Sequence, residues 1–256
     1  MSCHARVLGI AQDAGVPHAG CACPRCERFR ESPLHVACLG LVGGSGQTYL
    51  IDATPDFVAQ TAALPAFPSA ILLTHAHMGH YTGLVYLGRE GMNASGLPVH
   101  ATPALCAFLR ANEPWASLPV QWVTHEPGTR FFLEERLSVE SIPVPHRNEH
   151  ADTVAYLVLG PERRLLYLPD IDRWKIDLSA LLARCDLALI DGSFYSRGEL
   201  PGRADIPHPP IEETLDRLKP DEAAKVRFIH LNHTNPLLDA DGPTALVARE
   251  GEEIPL

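Results

Sequence analysis

Short apolar runs recur along the whole chain, each stopped by glycine, proline or a polar cluster. Most do not alternate with polar residues, the pattern of strands buried on both faces rather than one. Strands are predicted at 5–11, 38–42 and 48–53, the last two as a hairpin across GGSG, then at 71–74, 153–159, 164–168, 187–190 and 226–229, the last clear core strand. Between 98 and 144 strand-like and helix-like pieces alternate, at 98–100, 103–111, 120–123, 130–133 and 137–144. Helices are predicted at 56–64, with Thr54 as N-cap and Pro55 in the first turn, at 178–183, and at 211–218, where acidic residues lead and basic ones follow. Glycines and a proline make QDAGVPHAG a loop. No repeat or low-complexity tract interrupts this rhythm.

Polar residues that ligate metals stand where these strands end. After Ile71, Leu72 and Leu73 come His75, His77 and His80, within ILLTHAHMGHYTGL. His75 and His77 point to one side of an extended backbone, and a glycine lets the chain turn to bring His80 round. Three imidazoles at one strand end suit zinc, iron or manganese better than calcium or magnesium. His146 follows the run 142–144, with His150 as the competitor deeper in a polar loop. Asp170 follows 164–168, with Asp172 as a rival that could instead cap the next helix. Asp191 and His230 also stand at strand exits.

The second half of HLNHTNP carries a separate expectation. His230 and His233 are three apart and face opposite sides if the strand persists, so each serves a different site. CACPRC supplies Cys21, Cys23 and Cys26, one ligand short of a closed tetrahedral zinc. His233 is the natural fourth, with His18 and His4 as fallbacks. Such a zinc would tie the loop at 12–30 to the last strand.

HAHMGH resembles the HxHxDH signature of the metallo-β-lactamase superfamily, except that Gly79 stands where the family usually carries Asp. The resemblance covers nearly the whole chain. It implies a single αββα sandwich domain over 1–256, with a metal site at one edge, His146 as the third ligand of one ion and Asp170 as a bridge between two. LGIAQDAGVPHAGCACPRC, LIDGSFYSRGEL, IPHPPIEET and HLNHTNP look like stretches of the PqqB family, and the CxCxxC with a late HxxH is similar to the zinc site of PhnP-type phosphodiesterases. By that similarity His208 lies beside the metals and serves the substrate or leaving group. Asp52 is expected to orient a ligand histidine, and Cys3, Cys38, Cys106 and Cys185 to pack as small apolar residues.

Composition narrows the partners. A formal net charge of -10 argues against a nucleic-acid surface. No apolar run reaches the roughly 18–20 residues of a bilayer span, and MSCHARVLGI lacks the pattern of a signal peptide. The expectation is a soluble cytoplasmic protein acting on a small molecule, with homodimerisation left open. Seven cysteines, three of them in CACPRC, disfavour a disulfide framework.

The function expected is a metal-dependent hydrolase of an ester or phosphodiester. One active-site ion would sit among His75, His77 and His146, the other between His80 and His230, with Asp170 shared and Asp170 and His208 in catalytic roles. Those one or two ions would be Zn2+, Mn2+ or Fe2+, beside a structural Zn2+. A PqqB-like iron oxygenase in cofactor biosynthesis and a non-catalytic metal-binding protein are the alternatives. Gly79 predicts a weakened second ion and unequal affinities, which Gly79→Asp would even out unless Asp13 compensates.

Overall fold

The computed structural model describes residues 2–200, 202, 206–239 and 246–256. Among the described residues thirteen strands form two sheets. The first holds β1 (His4–Gly9), β2 (Cys38–Val42), β3 (Thr48–Ile51), β4 (Ala70–Leu72), β5 (Pro98–Ala101), β6 (Gln121–Thr124) and β13 (Glu253–Pro255), in the order β13-β1-β2-β3-β4-β5-β6. The second holds β7 (Arg130–Glu134), β8 (Leu137–Pro143), β9 (Val154–Leu159), β10 (Arg164–Leu168), β11 (Leu187–Asp191) and β12 (Val226–Ile229), in the order β12-β11-β10-β9-β8-β7. Helices α1 (Pro24–Arg28), α2 (Phe57–Ala62), α3 (Met78–Tyr81), α4 (Pro103–Arg110), α5 (Leu178–Leu182), α6 (Ile211–Leu215) and α7 (Pro220–Ala223) complete the chain.

The layers follow from the apolar runs. In β10, Leu165 and Tyr167 face the layer between the sheets while Leu166 and Leu168 face the outer core under α5 and α6. In β4, Ala70 and Leu72 point inward and Ile71 outward, into the core of α2 and α4. Both faces of the central strands are thus covered, which is why their sequences do not alternate. This is an αββα sandwich. Among the described residues no helix is long and apolar enough to cross a membrane.

Strand direction decides where the chemistry gathers. β2 runs antiparallel to both β1 and β3, so β1 and β3 point the same way, and β3, β4, β5 and β6 run parallel. In the other sheet β8, β9 and β10 are antiparallel, then β10, β11 and β12 parallel. So β1, β3 and β4 end at one rim of their sheet, and β8, β10, β11 and β12 end together in the other. The residues after those ends are the loop at 12–20, Asp52, His75, His146, Asp170, Asp191 and His230. The two sheets are joined there: the Val154 amide donates to the Thr74 carbonyl at 3.0 Å, and the buried Tyr156 hydroxyl donates to the Leu73 carbonyl at 2.9 Å. Tyr156→Phe should lower stability by about 1–2 kcal/mol, since it leaves that carbonyl unsatisfied. A urea melt with an unshifted midpoint would show that the bond contributes nothing.

Three local expectations differ. α2 is shorter than expected, Phe57–Ala62: the Thr54 hydroxyl accepts from the Asp56 amide at 3.0 Å as an N-cap does, but residues 55 and 56 form a turn ahead of the helix, with the Asp56 carboxylate engaged by the Val36 amide. α6 ends at Leu215, three residues short of the acidic-to-basic pattern over 211–218. A strand follows 226–229 after all: β13 pairs antiparallel with β1, Ala5 opposite Ile254.

Candidate metal centre

The histidine motif builds one wall of the site. β4 ends at Leu72, His77 is the extended N-cap of α3, and α3 swings His80 back under His75, ring centroids 4.1 Å apart. His77 Nδ1 lies 3.0 Å from His146 Nε2, and His75, His77 and His146 each bring a ring nitrogen within 4.8 Å of the others. On the other side, Asp170 Oδ2 is 3.1 Å from His80 Nε2, 3.4 Å from His230 Nε2 and 3.8 Å from His75 Nε2. Its Oδ1 is 3.5 Å from His146 Nε2 and 3.8 Å from His208 Nδ1. Asp170 is the centre of the group.

The supporting bonds decide which nitrogen of each ring is offered. His80 Nδ1 donates to Asp52 Oδ2 at 2.8 Å, which aims Nε2 at Asp170. Burial opposes the ring's charge, but Asp52 and Asp170 carry its pKa well above the ordinary value. In the neutral ring Nε2 keeps its lone pair for a cation. His75 Nδ1 is 2.9 Å from the Thr74 hydroxyl, which itself donates to Asp52. His230 Nδ1 is 3.0 Å from the Ser193 hydroxyl, which donates to Asp191. His75 Nε2, His80 Nε2, His230 Nε2 and Asp170 Oδ2 are buried and have no hydrogen-bond partner. Buried polar atoms are almost always satisfied. Four that converge unpaired fit a divalent cation with nitrogen and carboxylate donors.

Electrostatics reinforce the picture. Burial opposes the charge of Asp170, but His230, His75 and His80 around it hold its carboxyl well below the usual range. Burial and the neighbouring His146 push His77 down to about 4, so it is a neutral donor at physiological pH. His208 behaves in the opposite way: burial disfavours its charge, yet the charge and 2.6 Å hydrogen bond of Asp191, with Asp170 and Asp13 adding to it, carry it up to about 9. Backbone strain gathers here too. Asp52, His208 and His230 all have positive φ, at 69°, 78° and 65°, a conformation that costs of order 1 kcal/mol or more at non-glycine residues.

The alternatives left by the sequence separate cleanly. His150 is exposed and stacks on Phe108, rings 4.9 Å apart, while His146 is buried in the cluster. Asp172 neither bridges nor caps: its Oδ1 lies 3.0 Å from His146 Nδ1 and its Oδ2 accepts from the Arg147 amide, while Asp177 caps α5. Asp191 and Ser193 orient His208 and His230; in the sequence Asp191 reads only as a polar residue at a strand exit, and Ser193 carries no signal. Gly79→Asp, expected to even out the two ions, meets the loop that carries Asp13. A Cβ at position 79 would stand 2.3 Å from Asp13 Oδ1 and 2.6 Å from Asp13 Cα.

The second cluster sits beside the first. Cys21, Cys23 and Cys26 place their sulfurs 3.7, 3.9 and 3.4 Å from His233 Nδ1. Ligands at zinc distances in a tetrahedron lie about 3.6 Å from one another, so the four fit that ion. His18 contributes its amide to Cys26 Sγ rather than its ring, and His4 lies at the opposite rim beside Glu253. Arg25, within CACPRC, donates to the His233 carbonyl at 2.9 Å and pairs with Asp239. Between the clusters lies a cleft of about 380 Å³ that touches His208 on one side and His18 and His233 on the other. A larger cavity of about 440 Å³ opens at the turns beside Cys3, Ser45, Glu134 and Pro161, at the rim away from these histidines.

Comparison with known proteins places the chain. Residues 47–231 match the model of the beta-lactamase superfamily domain. The coenzyme PQQ synthesis protein B of Cupriavidus necator is 30% identical, covering 97% of this chain and 96% of its own. The structure of Zn(2+)-bound PqqB from Methylobacterium extorquens superposes with a TM-score of 0.84 at 23% identity, over 99% of this chain and 100% of that one. A diphosphatase from the PhnP family superposes with a TM-score of 0.75 at 22% identity, over 100% and 99%. At such identities the two structures speak for the fold alone. The chain belongs to the metallo-β-lactamase superfamily, and within it lies close to PqqB.

Proposed function

We propose that this protein is a metal-dependent hydrolase of a small phosphoester or ester. The observation that carries the reading is the convergence of buried, unpartnered His75 Nε2, His80 Nε2, His230 Nε2 and Asp170 Oδ2 at one rim. His75, His77 and His146 would hold one ion and His80 and His230 another, with Asp170 between them. A divalent cation so held would supply Lewis acidity and lower the pKa of a bound water towards about 7. The chain supplies the rest. Asp52, Asp172 and Ser193 fix the rings, so no reorganisation is needed when charge develops. His208, protonated at neutral pH against Asp191, faces the cleft and can give its proton to a departing oxygen.

The cleft indicates what departs. Phe194, Leu200 and Ile206 make an apolar wall, and Arg147 brings an exposed guanidinium to the same space. An apolar group on an anionic head fits both. Arg147→Ala should raise KM by roughly 10-fold or more and leave kcat nearly unchanged, as removal of a uniform binding contact does. Steady-state kinetics in which kcat falls and KM does not would place Arg147 in the chemistry instead.

Likeness to PqqB over nearly the whole chain supports a second reading, an oxygen-dependent step of cofactor synthesis at iron. One experiment separates the two. The zinc- or manganese-loaded protein should turn over bis-p-nitrophenyl phosphate. Oxygen consumption by the iron-loaded protein, with no hydrolysis by any metal form, would favour the second. Neither activity would leave a metal-binding protein without catalysis.

A further inference from the structure

HAHMGH has no carboxylate among its histidines, so the motif and the strand ends would offer a second ion His80, His230 and Asp170. The loop after β1 ends at the same rim. Asp13 lies on it, with Oδ1 3.5 Å from His80 Nε2 and in one group with His80 and His230. That oxygen is buried and has no hydrogen-bond partner, although the side chain as a whole is partly exposed. The loop is held in place from the strand that delivers His230. The Gln12 amide donates to the Leu231 carbonyl at 2.9 Å, the Leu231 amide to the Ile10 carbonyl at 2.7 Å, and the Asn232 side chain reaches Gln12 Oε1.

Gly79 explains why this loop can come so close. Its φ is not in the left-handed region, so no turn demands glycine there. Space does. The point where its Cβ would stand is 2.3 Å from Asp13 Oδ1 and 2.6 Å from Asp13 Cα. Backbone cannot yield there cheaply, so any side chain at 79 must displace the loop. The missing carboxylate of the motif and the presence of the Asp13 carboxylate are two sides of one exchange.

We infer that Asp13 is a ligand of the second active-site ion, supplied from the N-terminal loop in place of the motif's own carboxylate, and that Gly79 is the position that admits it. The inference rests on the two-ion reading of the site. It is indifferent to which reaction the ions serve.

Ion affinities, not turnover, test it. The protein with its cysteine-site zinc retained is titrated with Zn2+ or Mn2+ by calorimetry, and bound metal is counted after dialysis. Asp13→Ala should weaken the second ion beyond the roughly 10–100-fold that loss of a mere supporting partner costs. Gly79→Ala adds nothing but a methyl group and removes no ligand, yet should weaken the same ion by pushing Asp13 away. The two effects should not add in the double variant, since both remove one interaction. The exchange Asp13→Gly with Gly79→Asp should restore the second ion by returning the carboxylate to the motif. Unchanged second-ion affinity in Asp13→Ala would overturn the ligand assignment. An exchange variant binding no better than Asp13→Ala would overturn the equivalence of the two positions. A protein that binds both ions as stated and hydrolyses nothing leaves this inference standing and removes the hydrolase reading.

Discussion

If the site is the two-ion hydrolase centre proposed, Asp170→Ala should abolish turnover and release both ions while the fold persists. The carboxylate lies within 3.8 Å of His75, His80, His146, His208 and His230, so its loss would remove the ligand shared by the two ions and the negative charge that a pair of dications requires. The loss in kcat/KM should exceed the roughly 10–100-fold that a broken supporting bond costs. His146→Ala should behave alike, because its ring lies 3.0 Å from His77 and within the same cluster. His150→Ala should be neutral, since that ring packs on Phe108 at the surface. Asp170→Asn keeps the shape and separates charge from packing. Full activity in the asparagine variant would mean that the carboxylate charge is not used. A loss of turnover in His150→Ala with His146→Ala active would reverse the choice between them.

The fold and the family were legible because they are written locally. Apolar runs buried on both faces give strands without needing a partner to be known, and HAHMGH places three imidazoles through a strand end and one short turn. The grouping of CACPRC with His233 was legible too, since three thiols in six residues leave a definite shortage. What stayed hidden depends on which strand ends lie side by side. Gly79 and a compensating Asp13 could be named from the motif, but their contact could not: it follows from β1 running the same way as β3 and β4, which lays the loop after β1 against Gly79. Asp172 looks like a cap from its place before a helix, but the packed chain brings it to His146 instead. β13 is three residues long, too short for any periodicity, and is fixed by its pairing with β1 alone.

Cys23→Ser should release the zinc of the cysteine cluster and lower the melting temperature, while His75→Ala retains that zinc. Cys23 has two duties. Its sulfur caps α1 by accepting from the Cys26 amide at 3.4 Å, and that bond, with the neighbouring thiols, draws its pKa down towards the thiolate. Cys26 is pushed up to about 11 by burial and by the same neighbours, so three thiolates coexist here only around a cation. Zinc-finger peptides gain roughly 10–16 kcal/mol from such an ion, and here a large core exists without it. A loss of about 3 kcal/mol would lower the melting temperature by about 6–12 °C in a chain of this size. The consequence should reach the substrate. His18 and His233 form the wall of the cleft opposite His208, and Arg25 ties the cysteine loop to the His233 carbonyl and Asp239. Loosening that loop should therefore raise KM even with the active-site ions in place. Metal analysis of purified Cys23→Ser showing one full zinc still bound at the cysteine site would remove the assignment. Zinc lost with KM unchanged would keep the site and detach it from the cleft.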